Sequence, residues 1–403
     1  MSEFLKVVTV PEALQSIALS LPERDSETID LPSALGRELA DAVYSPEPIP
    51  AFTRSTVDGY AVKAADTFGC SESLPAFLNY QGEIQMGQKP DLEIMPGQCC
   101  WIPTGGMLPS GTDAAVMVEY TERLGDDTVL VYRPVAPGDH IMQMGEDAAQ
   151  GSLLLGKDHC LRSQDLGLLA SAGVEQVNVK KKYLVGIIST GNEIVALGSY
   201  PQPGQVRDVN SISLAAAVQS SNAIAKTYPI IPDNQDMLYE AVATACSEND
   251  WVLISGGSSI GTKDMTLKVL MSFPQAQLLF HGIAVKPGKP TLAVKNGTKL
   301  VVGLPGHPVS ALTMFGVVCK PFLDAKPASQ LTAIAGVNIA SQAGQDDYVA
   351  VYLEEKNGQM VAQPLLGKSG LMTILSKADG YIHIGYQQQG VYCGETVVVT
   401  RFD

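Results

Sequence analysis

No Cys-x-x-Cys pair occurs among the seven cysteines (70, 99, 100, 160, 246, 319, 393), which are scattered and odd in number. Their spacing argues against a structural zinc site or a disulfide framework and fits a reducing compartment. No apolar run approaches the length of a membrane span. Residues 1–6 lead into a helical pattern without the apolar stretch of a signal peptide. The expectation is a cytoplasmic protein with no membrane partner. Positive charge is also scarce: 27 Lys and Arg stand against 42 Asp and Glu, a net charge of −15. Binding to a phosphate backbone needs concentrated cations, so nucleic acid is not an expected partner. The chain has no internal repeat and no low-complexity tract. Its one long glycine loop lacks the Lys-Ser/Thr ending of a P-loop and the Gly-x-Gly-x-x-Gly of a dinucleotide fingerprint.

What is present is an ordinary globular composition, 45% hydrophobic and 17% charged over 403 residues, enough for roughly two to four domains. Thr9-Val-Pro-Glu12 reads as a capping box opening a helix, with Leu14, Ile17, Ala18 and Leu21 at helical spacing. Pro46-Glu-Pro-Ile-Pro50 is an extended hinge, because each proline biases its predecessor away from helix. Short strands broken by Gly, Pro and Asp follow to about residue 140, then a helix from 166 to about 173 and a strand over 175–179. From Tyr183 strands and helices alternate, the signature of an α/β unit with a largely parallel sheet. Strand patterns return after Pro327.

The fold class expected is therefore multidomain α/β plus β: a mostly parallel-sheet α/β domain, an inserted β-rich module and a small C-terminal all-β domain. The segments are 1–20, an N-terminal helix packing with the α/β domain; 21–47 with 146–180, a linking domain; 48–145, the inserted module; 181–325, the α/β domain; and 326–403.

Four loops carry candidate chemistry. Ser255-Gly-Gly-Ser-Ser-Ile-Gly-Thr-Lys-Asp264 follows a strand and precedes a helix. Its glycines either let the backbone approach a phosphate or form a flexible turn; Lys263 and Asp264 beside them suit a phosphate with a divalent metal. Lys286-Pro-Gly-Lys289-Pro holds two ammonium groups on a rigid turn. Alone it reads as a solvated surface turn; beside the other loops of one sheet edge it reads as an anion site. Gly303-Leu-Pro-Gly-His-Pro308 runs from a strand into a helix whose N-terminus suits a phosphate, and His307 has a positioning role only. Ser189-Thr-Gly-Asn-Glu193 ends another apolar run. Asn210 and Ser211 are candidate N-caps, and the carboxylates of Asp58 and Asp147 sit in turns, where Asp is usually structural.

Taken together and in register, these motifs resemble the molybdopterin molybdenumtransferase family, which includes the C-terminal domain of gephyrin. The resemblance runs over essentially the whole chain. It is carried by Asp58-Gly-Tyr-Ala-Val, Thr104-Gly with Pro109-x-Gly-x-Asp-Ala, Met117-Val-Glu, Gly145-Glu-Asp147, Ser189-Thr-Gly-Asn-Glu193 and Asp208-x-Asn. Ser255-Gly-Gly-x-Ser-x-Gly-x-x-Asp264, Lys286-Pro-Gly-Lys-Pro and Gly303-Leu-Pro-Gly-x-Pro-Val-Ser-Ala complete it.

The resemblance implies an elongated four-part subunit, a homodimer, and insertion of molybdate into the dithiolene of adenylylated molybdopterin, with release of AMP and help from Mg²⁺. Glu193, Asp233 and Asp264 become carboxylates that organise metal or substrate, with Glu193 and Asp264 as the metal ligands. Asp58, Thr104 and Asp147 contribute from the other face of a cleft between subunits. Substrate would be bound by Ser255, Gly256, Gly257, Ser259, Gly261 and Lys263, by Lys286 and Lys289, and by Pro305, Gly306 and Pro308. The implied partners are a molybdopterin adenylyltransferase upstream and apo-molybdoenzymes downstream.

Three departures stand out. The stretch Ile141-Met-Gln-Met144 lacks the arginine usual there, His307 stands where asparagine is common, and Gly344-Gln345 replaces a common Gly-Arg. Tungstate in place of molybdate is the variant they raise. The other readings are a pterin-binding scaffold, the related single-domain adenylyltransferase, which the length of the chain disfavours, and a nucleotide or sugar-phosphate hydrolase.

Overall fold

The computed structural model describes residues 7–256, 263–324, 326 and 328–402, and of Lys263 and Asp264 it describes no side chain. The chain forms two compact units, one of residues 27–179 and one that joins the first 26 residues to 180–403.

In the unit of residues 27–179, a six-stranded sheet runs in the order Ala114–Met117, Gly59–Val62, Gln98–Ile102, Ala76–Glu83, Thr128–Val131, Thr121–Leu124. Side chains alternate between its faces. Tyr60, Val62, Cys99, Val116 and Val129 fill one core, and Ala61, Cys100, Ile102 and Ala115 the other. The adjacent Cys99 and Cys100 thus point to opposite sides, and burial pushes both thiols up to about 12. None of the seven cysteines, all among the described residues, is joined in a disulfide. A smaller core gathers Leu31, Leu39, Leu161, Leu169 and Val179 around the helix Ser163–Ser171. A short antiparallel ladder joins Arg54–Ser55 to Ile141–Met142.

In the other unit, a second six-stranded sheet has the order Ile224–Thr227, Leu184–Thr190, Trp251–Gly256, Lys299–Leu304, Leu292–Asn296, Ala276–His281. The first four strands are parallel, and Leu292–Asn296 runs antiparallel to both of its neighbours. On one face, Val10, Ala13 and Ile17 of the helix Val10–Ala18 pack with Leu214, Phe280, Ala311 and Phe315. That helix opens with the capping box expected of Thr9 and Glu12. On the other face, Leu238, Val242, Val269 and Leu270 cover Ile188, Val252 and Ile254. No helix among the described residues is long and apolar enough to cross a membrane.

The C-terminal strands Asp346–Lys356, Gln359–Pro364, Gln330–Ala335, Thr396–Arg401 and Gly380–Ile384 close into a ring, because Asp346–Lys356 pairs with both the second and the last of them. Closure leaves no long free edge. The region is not purely β, since it carries the short helix Met372–Lys377. One further strand pair crosses between the motifs: Val285–Lys286 lies parallel to the start of Asp346–Lys356, with Lys286 opposite Asp347.

One local expectation is corrected, and one strand is added to those expected. The helix Asn210–Ser220 is capped neither by Asn210 nor by Ser211; Asp208 Oδ1 accepts the Ser211 N–H at 3.0 Å. The strand Leu292–Asn296, unread in the sequence, forms a hairpin with Lys299–Leu304.

Candidate functional site

The parallel strands deliver their loops at one level. Thr190 pairs with Gly256 and Ser255 with Leu304, so the segments after residues 190, 256 and 304 leave the same sheet edge. In a parallel sheet the carboxyl ends of the strands are where ligands bind. Gly256 has φ +119°, and a Cβ placed there would lie 1.9 Å from the Thr190 carbonyl oxygen, so no other residue fits. Beyond it, Gly257, Ser259 and Gly261 lie outside the described residues, as do the side chains of Lys263 and Asp264.

Beneath this edge is a buried polar hub. Ser189 Oγ lies 2.9 Å from Asp208 Oδ1, 2.9 Å from Ser211 Oγ and 3.3 Å from Ser255 Oγ. Ser255 is fully buried, so it supports the floor from below. Asn210 Nδ2 donates to the Gly306 carbonyl at 2.9 Å and so ties the helix Asn210–Ser220 to the 305–308 loop. Thr190 Oγ1, Asn210 Oδ1 and Asp233 Oδ1 are buried and have no hydrogen-bond partner among the described residues. Each such atom costs on the order of 1–3 kcal/mol. Three of them along one strand-end rim is the pattern of a surface built to meet a ligand.

Glu193 and Asp233 are brought to neighbouring turns. Gly191 N–H donates to the Ile231 carbonyl at 3.1 Å, and Asp233 N–H donates to Asn192 Oδ1 at 3.1 Å. The Glu193 carboxylate folds back over Gly191, within 2.7–2.9 Å of where a Cβ on that glycine would stand. Among the described residues no group of three or more His, Cys, Asp or Glu forms a metal cage.

The lysine turn is held from both sides. Gly288 adopts φ +117° with Met314 Sδ 2.4 Å from the place of a Cβ, and Thr291 Oγ1 donates to the Gly288 carbonyl at 2.7 Å. Lys286 and Lys289 are exposed. Lys286 Nζ lies 4.0 Å from Asp347 Oδ2. Asp347 is only 2% exposed and accepts from Ser341 Oγ at 2.7 Å and Gln345 Nε2 at 3.2 Å. Its neighbour Asp346 meets His383 Nε2 at 2.7 Å, and its Oδ2 is buried with no partner among the described residues.

Asp347 thus anchors the lysine turn to the C-terminal strands. Asp347→Ala is expected to lower the unfolding free energy by about 1–3 kcal/mol, because Ser341 and Gln345 lose a buried acceptor. Asp347→Asn, which keeps one acceptor oxygen, is expected to lose less. Chemical denaturation reads both, and equal stability of wild type and Asp347→Ala would contradict the assignment.

The 303–308 segment is less available to an anion than its sequence indicates. Pro308 has no N–H, and the Val309 N–H donates to the Ser369 carbonyl at 3.1 Å. Pro305 is buried, Gly306 and Pro308 are half-buried, and His307 is exposed without a capping hydrogen bond.

The unit of residues 27–179 holds its own cluster. Asp58 Oδ1 accepts the Thr104 N–H at 2.8 Å, and Gly105 N–H donates to the Ser55 carbonyl at 2.8 Å. Asp58 and Thr104 are therefore joined directly. Asp147 is exposed on the turn after Ile141–Met142, its N–H donating to the Ile49 carbonyl at 2.9 Å, and no hydrogen bond or ion pair links it to that pair.

Family models cover nearly all of this framework. Residues 8–173 match the MoeA N-terminal region (domain I and II), 186–325 a "Probable molybdopterin binding domain", and 332–402 the MoeA C-terminal region (domain IV). The chain belongs to the MoeA family. It is similar to the molybdopterin molybdenumtransferase of Haemophilus influenzae, with 31% identity over 407 residues, 98% of this chain and 99% of that one. The molybdopterin molybdenumtransferase of Bacillus subtilis is 30% identical over 402 residues, covering 97% and 93%. The crystal structure of the molybdopterin biosynthesis MoeA protein from Pyrococcus horikoshii OT3 superposes with TM-score 0.86 at 32% identity, over 98% of this chain and 100% of that one.

Within this MoeA framework the supporting roles of Ser189, Asn192 and Asp208 have no local signature in the sequence. Asp347 has one, since two adjacent acids open its strand.

Proposed function

We propose that the chain is a transferase of molybdenum cofactor biosynthesis that inserts molybdate into the dithiolene of adenylylated molybdopterin and releases AMP. The observation that carries this reading is the convergence of the Glu193 and Asp233 turns at one sheet edge with three buried polar atoms that have no partner among the described residues, one of them on Asp233 itself. Family membership supports it. Lys286 and Lys289 act as point charges for the phosphate or oxyanion. Thr190 Oγ1 and Asn210 Oδ1 supply hydrogen-bonding capacity at the rim.

The donor set fits Mg²⁺, which commonly takes one or two carboxylates together with waters and phosphate oxygens. Asp233 Oδ1, buried and unpartnered, is the atom that favours such a fit. Glu193 and Asp264 are the proposed ligands, with Asp233 beside them. When bound, Mg²⁺ offsets charge on the phosphoanhydride and on the leaving AMP. The dithiolene sulfurs belong to the substrate, so no cysteine is required.

The same proposal includes the division into four parts, a homodimer, a cytoplasmic location, delivery of the pterin by a molybdopterin adenylyltransferase, and apo-molybdoenzymes as recipients. Its test is AMP release from adenylylated molybdopterin with molybdate, tungstate or neither, with and without Mg²⁺. Release that depends on both oxyanion and Mg²⁺ supports the proposal; release indifferent to oxyanion refutes it.

Tungstate as the preferred oxyanion is the alternative raised by the Ile141–Met142 strand and the turn after it, which carry no Lys or Arg. Met142→Arg is expected to change the molybdate/tungstate preference several-fold, and an unchanged ratio counts against that variant.

A further inference from the structure

Five arginines lie in the unit of residues 27–179, and four of them are engaged. Arg37 pairs with Glu27 at 2.6 Å, and Arg162 pairs with Asp165 at 2.9 Å. Arg123 stacks over Tyr80 and donates to the Asp126 carbonyl, and Arg133 stacks over Tyr120. Arg54 differs. Its guanidinium makes one hydrogen bond, from Nη2 to the Met142 thioether at 3.7 Å, and has no carboxylate partner among the described residues. A thioether is a weak acceptor, which leaves a half-buried guanidinium with nearly all of its donor capacity unused.

Its surroundings are those of the Asp58–Thr104 cluster. The strand Arg54–Ser55 is bridged on one side by the 104–107 turn, through Gly105 N–H to the Ser55 carbonyl and the Arg54–Met107 bridge. On the other side it pairs with Ile141–Met142, the strand that leads into the Asp147 turn. Within residues 52–59, 103–108 and 140–148, which form this face, Arg54 is the sole Lys or Arg. The neighbouring carboxyl groups of Asp58 and Glu146 accept backbone N–H groups, from Thr104 and Gln143, and do not neutralise it.

We propose that Arg54 is the anion-binding residue of this unit, donating its planar fork to the tetrahedral oxyanion part of the substrate, either the metal oxyanion or the substrate's phosphate. A bidentate guanidinium suits such oxygens better than a point charge does. The inference rests on the proposed reaction and names the residue that compensates for the cation-free 141–144 stretch. Arg54 and Met142 are directly opposed in an antiparallel pair, so their side chains leave the same face and a cation moved to position 142 reaches the same space.

The test compares wild type with Arg54→Met, Arg54→Gln and the swap Arg54→Met/Met142→Arg, in steady-state AMP release with oxyanion and adenylylated pterin varied separately. Calorimetric binding of inorganic molybdate and inorganic phosphate is measured in parallel. Arg54→Met keeps the packing volume against Met142, and is expected to raise one of the two KM values on the order of 10–100-fold with a smaller change in kcat. A rise confined to oxyanion assigns Arg54 to the metal oxyanion, and a rise confined to the pterin assigns it to the phosphate. The swap is expected to restore most of the loss, which a purely structural arginine would not allow. Unchanged KM values and unchanged anion binding in both single variants overturn the proposal. If wild type shows no turnover at all, the proposed reaction fails, while loss of anion binding in Arg54→Gln still decides this one.

Discussion

Asp233→Asn is expected to lower AMP release on the order of 10²–10³-fold while leaving the protein as stable as before, or slightly more so. The two effects have one origin. Asp233 Oδ1 is buried without a hydrogen-bond partner among the described residues, so in the resting protein that oxygen carries a desolvation cost. Asparagine has nearly the same shape and leaves the backbone bond from Asp233 N–H to Asn192 Oδ1 in place. What it removes is the negative charge beside Glu193. A site that trades stability for function loses activity and not stability when such a group is neutralised. The measurement pairs initial rates with chemical denaturation. Unchanged rates would remove Asp233 from the machinery, and a collapse of stability with the rate per folded molecule intact would make it a structural turn residue.

Gly256→Ala is expected to destabilise the unit that contains it by about 3–5 kcal/mol, at the upper end of single substitutions. The methyl group would stand 1.9 Å from the Thr190 carbonyl oxygen, a backbone atom that can move only by separating two central strands, and φ +119° adds strain. Gly198→Ala is the control: nothing lies within 4 Å of a Cβ there, so its change is expected within about 0.5 kcal/mol. Denaturant midpoints for the two variants settle the point. Equal stability would mean that the Thr190–Gly256 approach relaxes freely and does not set the height of the loops.

Much of the fold was legible because its periods are unambiguous. The runs that became Leu184–Thr190, Trp251–Gly256 and Lys299–Leu304 are short and apolar, bounded by turn residues, and separated by helical spacing. The Thr9 capping box is local and was read correctly for that reason. Leu292–Asn296 has no clear sequence signal because it follows the Lys-Pro-Gly-Lys-Pro turn after one residue and ends in the polar Lys295-Asn296. The helix Met372–Lys377 is too short for a period. At the site, the chemically distinctive loops stood out, but their supports did not. Asp208, Ser189 and Ser211 meet only through the parallel pairing and the helix that follows. Asp347 reaches Lys286 only because two distant segments pair side by side. Such relations are long-range, and no local pattern encodes them.

In the proposed reaction, metal enters the pterin as the adenylyl group leaves. Its most direct measurement is the metal content of the isolated pterin product, by elemental mass spectrometry, against AMP released in the same reaction. Metal and AMP are expected to rise together in equal amounts, and Asp264→Ala is expected to abolish both. AMP accumulating with metal-free pterin would reveal a hydrolase instead. Tightly bound adenylylated pterin with neither product would reveal a carrier, and either result would contradict metal insertion by this chain.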